Sequence, residues 1–352
     1  MTEPCDHYLT LSFPSLSSFL ASTSHLDRVA ALARSVPSSL LVRIRSGSSE
    51  PSPWTLPNER DRSGSSSAAS SSSSRTPPPP RRLWLPLERS LAALYSAATV
   101  EFLKRDNPLA RVDVVLEAMR GVPFCVPPGA DSSEWTPNER QDTSTSDDDA
   151  PRGGESYEVV ALGGTFDHLH AGHKILLTMA SSLATRKIIV GVSGDELLKT
   201  KKYKEHLEPL EKRITSVQSF IELVRPTIQA EIVPLHDVYG PTASDPDIQA
   251  LVVSEETKTG GQAINKLRGE RNLSILDTHV INLVSDDGSS ASSESTPARA
   301  GPTRDGGSLD DGDASAVSGE PVKVAVETKM GSTGIREWLA RRDRSERGAQ
   351  RG

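Results

Sequence analysis

Two histidines, His170 and His173, stand three residues apart with Gly172 between them. That spacing sets both imidazoles on one face of a helix start, and Gly172 leaves room for a ligand to approach the backbone closely. Ahead of them runs Gly163-Gly164-Thr165-Phe166-Asp167, a glycine turn followed by a hydroxyl. A turn that leads from a strand into a helix brings backbone N–H groups and the positive helix end up to a phosphate. The chemistry is therefore phosphate handling. A glycine pair before a helix is common, and so is a histidine pair on a surface. Their coincidence at one strand-to-helix turn is the specific signal. The chain has no G-x-x-x-x-G-K-[ST] P-loop and no G-x-G-x-x-G after a strand.

Two further groups carry the same chemistry. Lys329-Met330-Gly331-Ser332-Thr333-Gly334-Ile335-Arg336 places adjacent hydroxyls at a helix start with an arginine behind them. One hydroxyl is accounted for as an N-cap; a helix N-terminus with a spare hydroxyl and Arg336 also suits terminal phosphates. Lys199, Lys201, Lys202 and Lys204 form a cationic run. Such a run is ordinarily a solvated face, but here it follows a strand at the edge where an anionic substrate would arrive. One or two of these lysines are expected to meet a substrate phosphate.

Stepping outward, these groups need elements to hold them. Tyr157 to Leu162 and Lys187 to Val192 are continuous apolar runs of the kind buried parallel strands require. Leu210 to Val224 is amphipathic and is stopped by Pro226. Strands at Glu231–Pro234, Ala250–Val253, His279–Val284 and Val322–Val326 alternate with helices at Thr259–Arg268 and Thr333–Arg341. The alternation predicts a Rossmann-like α/β fold, a doubly wound parallel sheet. Ligands of such sheets sit at the carboxyl ends of strands near the topological switch, where Gly163 and Gly164 fall. Residues 1–127 read less clearly, as a poorly defined α/β region. Strands are expected at Tyr8–Phe13 and Leu40–Ile44, helices at Leu26–Ala33 and Leu87–Lys104, and an apolar run at Val112–Ala118.

Composition bounds the rest. Of 352 residues only 35% are hydrophobic, because three stretches rich in Ser, Pro, Gly and Asp bury nothing: about 46–82, 128–155 and 285–320. They are expected to be a disordered insertion, linker and insertion, leaving a domain over 156–341 and a solvated basic tail over 342–352. A net charge of −7 argues against a general nucleic-acid binder. Two cysteines, Cys5 and Cys125, are too few for a disulfide framework or metal cluster. No apolar run reaches membrane-spanning length, and Glu3 and Asp6 do not suit a secretory signal. A cytoplasmic protein with no membrane partner is expected.

The histidine segment resembles the HxGH signature of the nucleotidyltransferase superfamily, which transfers a nucleoside monophosphate from a nucleoside triphosphate. The resemblance narrows on Gly163 to Lys174, Gly191-Val192 with Leu197-Leu198-Lys199, and Asp237-Val238-Tyr239-Gly240-Pro241. Ser244-Asp245-Pro246, Val252-Val253-Ser254-Glu255-Glu256-Thr257, Gly260-Gly261 and Ala263-Ile264-Asn265 complete it. These blocks are similar to eukaryotic-type phosphopantetheine adenylyltransferases over about 157–284 and 322–341, with weaker similarity to fungal members in 85–127.

The resemblance implies transfer of AMP from ATP to 4′-phosphopantetheine, giving dephospho-coenzyme A and pyrophosphate. A monofunctional, fungal-like enzyme is implied, with Mg²⁺ carried mainly on the ATP phosphates and no metal held by the protein itself. It also implies roles. His173 contacts the α-phosphate and His170 the nucleotide phosphates. Thr165 binds the incoming substrate's phosphate, and Lys199 or Lys201 offsets the repulsion between the two anions. Ser332, Thr333 and Arg336 hold the β- and γ-phosphates. Gly163, Gly164, Phe166 and Ser254, Glu255, Glu256 and Thr257 line the nucleotide pocket, while Asp167 fixes the turn by hydrogen bonding. Gly331 departs from the family, which usually has serine there. Two other readings stay open: a cytidylyltransferase of phospholipid synthesis, against which the missing Arg-Thr-x-Gly-Ile-Ser motif speaks, and a non-catalytic nucleotide-binding scaffold. Residues 1–150 could also dock other enzymes of coenzyme A synthesis.

Overall fold

The computed structural model describes residues 5–47, 81–137, 156–281 and 331–349. Within them lie two fully parallel sheets. The first contains β1 (His7–Phe13), β2 (Ser39–Ser46), β3 (Arg111–Leu116) and β4 (Ser132–Trp135) in the order β3-β2-β1-β4. Its helices are α1 (Leu16–Ala21), α2 (Leu26–Ser35), α3 (Arg81–Leu103) and the single turn α4 (Glu117–Arg120). The region that reads weakly in sequence therefore holds a four-stranded parallel sheet with its own helices.

The second sheet contains β5 (Tyr157–Gly164), β6 (Ala184–Ser193), β7 (Gln229–Leu235), β8 (Ala250–Ser254) and β9 (Asp277–Ile281). Their order is β7-β6-β5-β8-β9. Its helices are α5 (Ala171–Leu183), α6 (Leu210–Val224), α7 (Lys258–Glu270) and α8 (Ser332–Ala349). The chain moves outward from β5 to β7, then returns to place β8 on the other side of β5. The switch point thus opens between the ends of β5 and β8, at Gly163, Gly164 and Ser254. Sequence placed these elements closely because β5, β6 and β8 are buried on both faces and have the unbroken apolar runs that such burial demands.

Two expectations are corrected. Residues 128–155 are not wholly linker, since β4 falls inside that range and pairs with β1 from Tyr8↔Ser132 to Leu11↔Trp135. Ser-Ser-Glu-Trp has no apolar alternation, so only its neighbour in the sheet reveals it. The basic tail also continues α8 as far as Ala349, supported by Arg342–Glu346 and Asp343–Arg347 pairs at helical spacing. The strand expected at 322–326 and most of the three polar stretches lie outside the described residues.

The two sheets share one core. Leu91, Leu94 and Phe102 of α3 belong to the same buried apolar cluster as Ile175, Leu177 and Val217 of α5 and α6. Polar contacts cross the junction as well: Arg120 Nη1 donates to Leu223 O, Thr227 Oγ1 donates to Arg120 O at 3.3 Å, and Trp338 Nε1 of α8 donates to Asp106 Oδ1 at 2.7 Å. The first unit is thereby an integral support of the second.

Candidate active site

The turn after β5 carries unusual backbone. Phe166 and His168 both have positive φ, 50° and 45°, on either side of Asp167. For a non-glycine residue this is uncommon and must be held by neighbours. Asp167 does the holding. It is fully buried; its Oδ1 accepts from the Glu208 N–H at 2.9 Å, and its Oδ2 pairs with Arg336 Nη1 at 2.5 Å. Its carbonyl accepts from Ser332 Oγ at 2.9 Å. The His168 N–H in turn donates to Glu208 Oε2 at 2.7 Å. One carboxylate therefore ties the histidine turn to the start of α8.

The imidazoles of His170 and His173 stack, with centroids 3.9 Å apart and planes 27° from parallel. Phe166 lies beneath, its centroid 5.2 Å from that of His173. Phe166 is itself fully buried, so its ring supports His173 from below. Gly164 and Gly172 leave little room for a side chain. A β-carbon on Gly164 would come within 3.2 Å of the Phe166 ring, and one on Gly172 within 3.2 Å of the His170 ring. His173 Nδ1 is buried with no hydrogen-bond partner among the described residues. Burial, reinforced by the neighbouring His170, holds its pKa well below the ordinary imidazole range. At neutral pH His173 is an uncharged ring.

Gly163 pairs with Gly191 and Gly164 with Val192 across β5 and β6. The loop beyond β6 carries Lys199 and Lys201, both exposed. Its Lys202 carbonyl accepts from Arg336 Nε at 3.0 Å. Arg336 is 1% exposed and also donates to Thr333 Oγ1 at 3.1 Å. It is therefore engaged with Asp167, Lys202 and Thr333. Ser332 and Thr333 remain partly accessible at the first turn of α8, where backbone N–H groups have no intrahelical acceptor.

At the end of β8, Ser254 and Thr257 form a reciprocal cap. The Ser254 N–H donates to Thr257 Oγ1 at 3.1 Å. Glu255 and Glu256 are exposed, with Glu255 paired to Lys258 at 3.2 Å. Among the described residues no group of three or more His, Cys, Asp or Glu could hold a metal ion.

The model of the cytidylyltransferase-like family matches residues 161–296. The phosphopantetheine adenylyltransferase of Saccharomyces cerevisiae is 46% identical over 136 residues, 39% of this chain and 45% of the yeast protein. An uncharacterised protein of Schizosaccharomyces pombe is 48% identical over 126 residues, 36% of this chain and 40% of that protein. The chain thus spans less than half the length of these two fungal relatives. The phosphopantetheine adenylyltransferase of Methanopyrus kandleri is 40% identical over 130 residues, 37% of this chain and 82% of the archaeal protein. The chain belongs to the phosphopantetheine adenylyltransferase family.

In this family member the sequence reading overlooked the residue that aligns the two strand ends. Arg213 is fully buried. Its Nη1 donates to Thr165 O at 2.9 Å and Ser193 O at 2.7 Å, and its Nε donates to Glu208 O at 2.9 Å. Arg213 sits in α6, where an arginine in an amphipathic pattern reads as surface; only Pro209, which opens that helix beside Glu208, hinted at a built turn.

Two outcomes follow from this geometry. Asp167→Asn leaves Arg336 buried without its carboxylate and should cost about 3–5 kcal/mol, read as a fall in denaturation midpoint at unchanged m-value. The second concerns pH. Below about pH 6.5 an unfolded chain protonates His173 while the folded site resists. The unfolded state then holds more protons, so stability falls on acidification. His173→Gln removes that component, and the drop in Tm between pH 7 and pH 5 should be smaller than in the parent.

Proposed function

We propose that this protein transfers AMP from ATP to 4′-phosphopantetheine, releasing pyrophosphate and forming dephospho-coenzyme A. The observation that carries the reading is the joining of the stacked histidine turn to the first turn of α8 through Asp167, in a chain of this family. Those are the two anion-binding ends that a nucleoside triphosphate would span.

The attacking group is already a phosphate anion, so no side chain need remove a proton. The work is to hold two polyanions in line and to stabilise charge at the α-phosphorus. His173, uncharged and braced by Phe166, is suited to donate to an α-phosphate oxygen without a large charge change. His170 sits beside it for the nucleotide phosphates. Thr165 and the N–H groups after Gly163 and Gly164 receive the acceptor's phosphate. Lys199 and Lys201 bring mobile positive charge to the same edge. Ser332, Thr333 and the first N–H groups of α8 take the β- and γ-phosphates, with Arg336 positioning that helix rather than touching ligand. Ser254 to Thr257 line the adenine side.

Mg²⁺ would accompany ATP and offset its charge; the described residues offer no ligand set of their own, and Asp167 is engaged by Arg336. Among the described residues no helix is long and apolar enough to cross a membrane, and a cytoplasmic setting suits the reading.

The test is pyrophosphate release from ATP, Mg²⁺ and 4′-phosphopantetheine, beside CTP with phosphocholine or phosphoethanolamine. Turnover with the first pair alone is the expected result; turnover with CTP would overturn the assignment. His173→Ala should lower kcat by about a hundred- to a thousandfold, the usual loss for one preorganised transition-state donor. Lys199→Ala and Lys201→Ala should chiefly raise KM for 4′-phosphopantetheine. An unchanged KM in both and in the double variant would remove the lysines from the site.

A further inference from the structure

Lys174 follows His173 directly in α5, yet its side chain ends in the other sheet. Its ammonium donates to Val112 O at 2.7 Å and pairs with Asp113 Oδ1 at 2.8 Å, both on β3. Lys174 is 6% and Asp113 2% exposed. The second oxygen of Asp113 accepts from Arg111 Nε at 2.6 Å, and the Phe220 ring of α6 has its centroid 5.9 Å from the ammonium. Burial alone would raise the Asp113 carboxyl's pKa, but Lys174 and Arg111 overcome it and hold the group below its ordinary value. Both groups are shielded from water.

Such a pair is weak evidence for stability, because well-packed apolar groups of similar volume commonly serve as well or better. What it adds is register. An apolar contact tolerates a small slide, whereas an ammonium held between one carbonyl and one carboxylate does not. The residue so fixed adjoins His173, and its own N–H donates to His170 O at 3.0 Å. His173 is thus one peptide bond from the anchor and His170 one backbone hydrogen bond from it.

We propose that Asp113, from the first sheet, is a positioning residue for the histidine pair: through Lys174 it sets where the first turn of α5 lies against the ends of β5 and β6. The first unit then contributes to turnover without touching substrate. The proposal rests on the adenylyltransfer reading for its kinetic test but not for its spectroscopic one.

The informative variant is the double Asp113→Leu/Lys174→Met in the full chain, which removes both charges and keeps the volume. It should retain the parent Tm within a few degrees while kcat falls by about ten- to a hundredfold, the scale that a displacement of about 1 Å produces, with KM for ATP little changed. The ring ¹³C and ¹⁵N resonances of His173 should shift in the same variant, a reading independent of any reaction. Parent kcat and parent His173 resonances in the folded double variant would overturn the proposal. If the double variant does not fold, Asp113→Asn, which keeps the side-chain shape, is read by the same two measurements. Shifted resonances with a parent enzyme inactive on ATP and 4′-phosphopantetheine would fault the assigned reaction and leave the positioning role standing.

Discussion

Everything at the site hangs on one buried ion pair. Asp167 and Arg336 are both shielded from water, and neither could stay charged there alone at acceptable cost. Because they satisfy one another, a turn with two left-handed residues, a helix start and the lysine loop hold a common position. Asp167 meets Glu208 and Arg336 with one carboxylate, and Arg336 reaches Asp167, Thr333 and the Lys202 carbonyl with one guanidinium. A planar five-donor group is needed for that geometry; lysine could not span it.

Around this pair the charges divide by purpose. Three sets of buried charges around the site serve as fasteners: Asp167 with Arg336, Asp113 with Lys174, and Arg213 with Asp195 and three carbonyls. Lys199 and Lys201, in the loop beyond β6, are exposed to solvent instead. His173 belongs to neither class, being a titratable ring kept neutral by its surroundings. In the proposed transfer, a protonated imidazole there would bind any phosphate strongly, ground state included, whereas a neutral donor in a dry setting would favour the charge that develops.

Much of this was legible in the sequence, for definite reasons. Strands buried on both faces have unbroken apolar runs, so β5, β6 and β8 declare themselves; α6 does so by its period and by Pro226. The histidine turn is visible because its glycines and histidines are contiguous. Asp167 could be read as a turn-fixing residue, but its partner could not, since nothing local in Arg336 distinguishes a buried arginine from a phosphate ligand. The burial of the Phe166 ring is not legible for a related reason: the residue sits in a turn of positive φ, and sequence does not give φ. Arg213, Lys174 and Asp113 act across elements, and long-range pairing leaves no trace in a single chain's spacing. The short strand β4 is invisible because Ser-Ser-Glu-Trp is held by its neighbour and not by its own composition.

The distance along the chain between Asp167 and Arg336, 169 residues, has a consequence for how the molecule is made. On a ribosome, β5 and the histidine turn emerge long before the helix that neutralises Asp167. Until α8 arrives the carboxylate must stay hydrated, so the turn cannot settle into its left-handed conformation. Strands and helices can collapse as they are synthesised, but the Asp167–Arg336 pair forms only after α8 has emerged. A nascent chain would thus carry the strands of the second sheet before the contact that fixes the turn after β5.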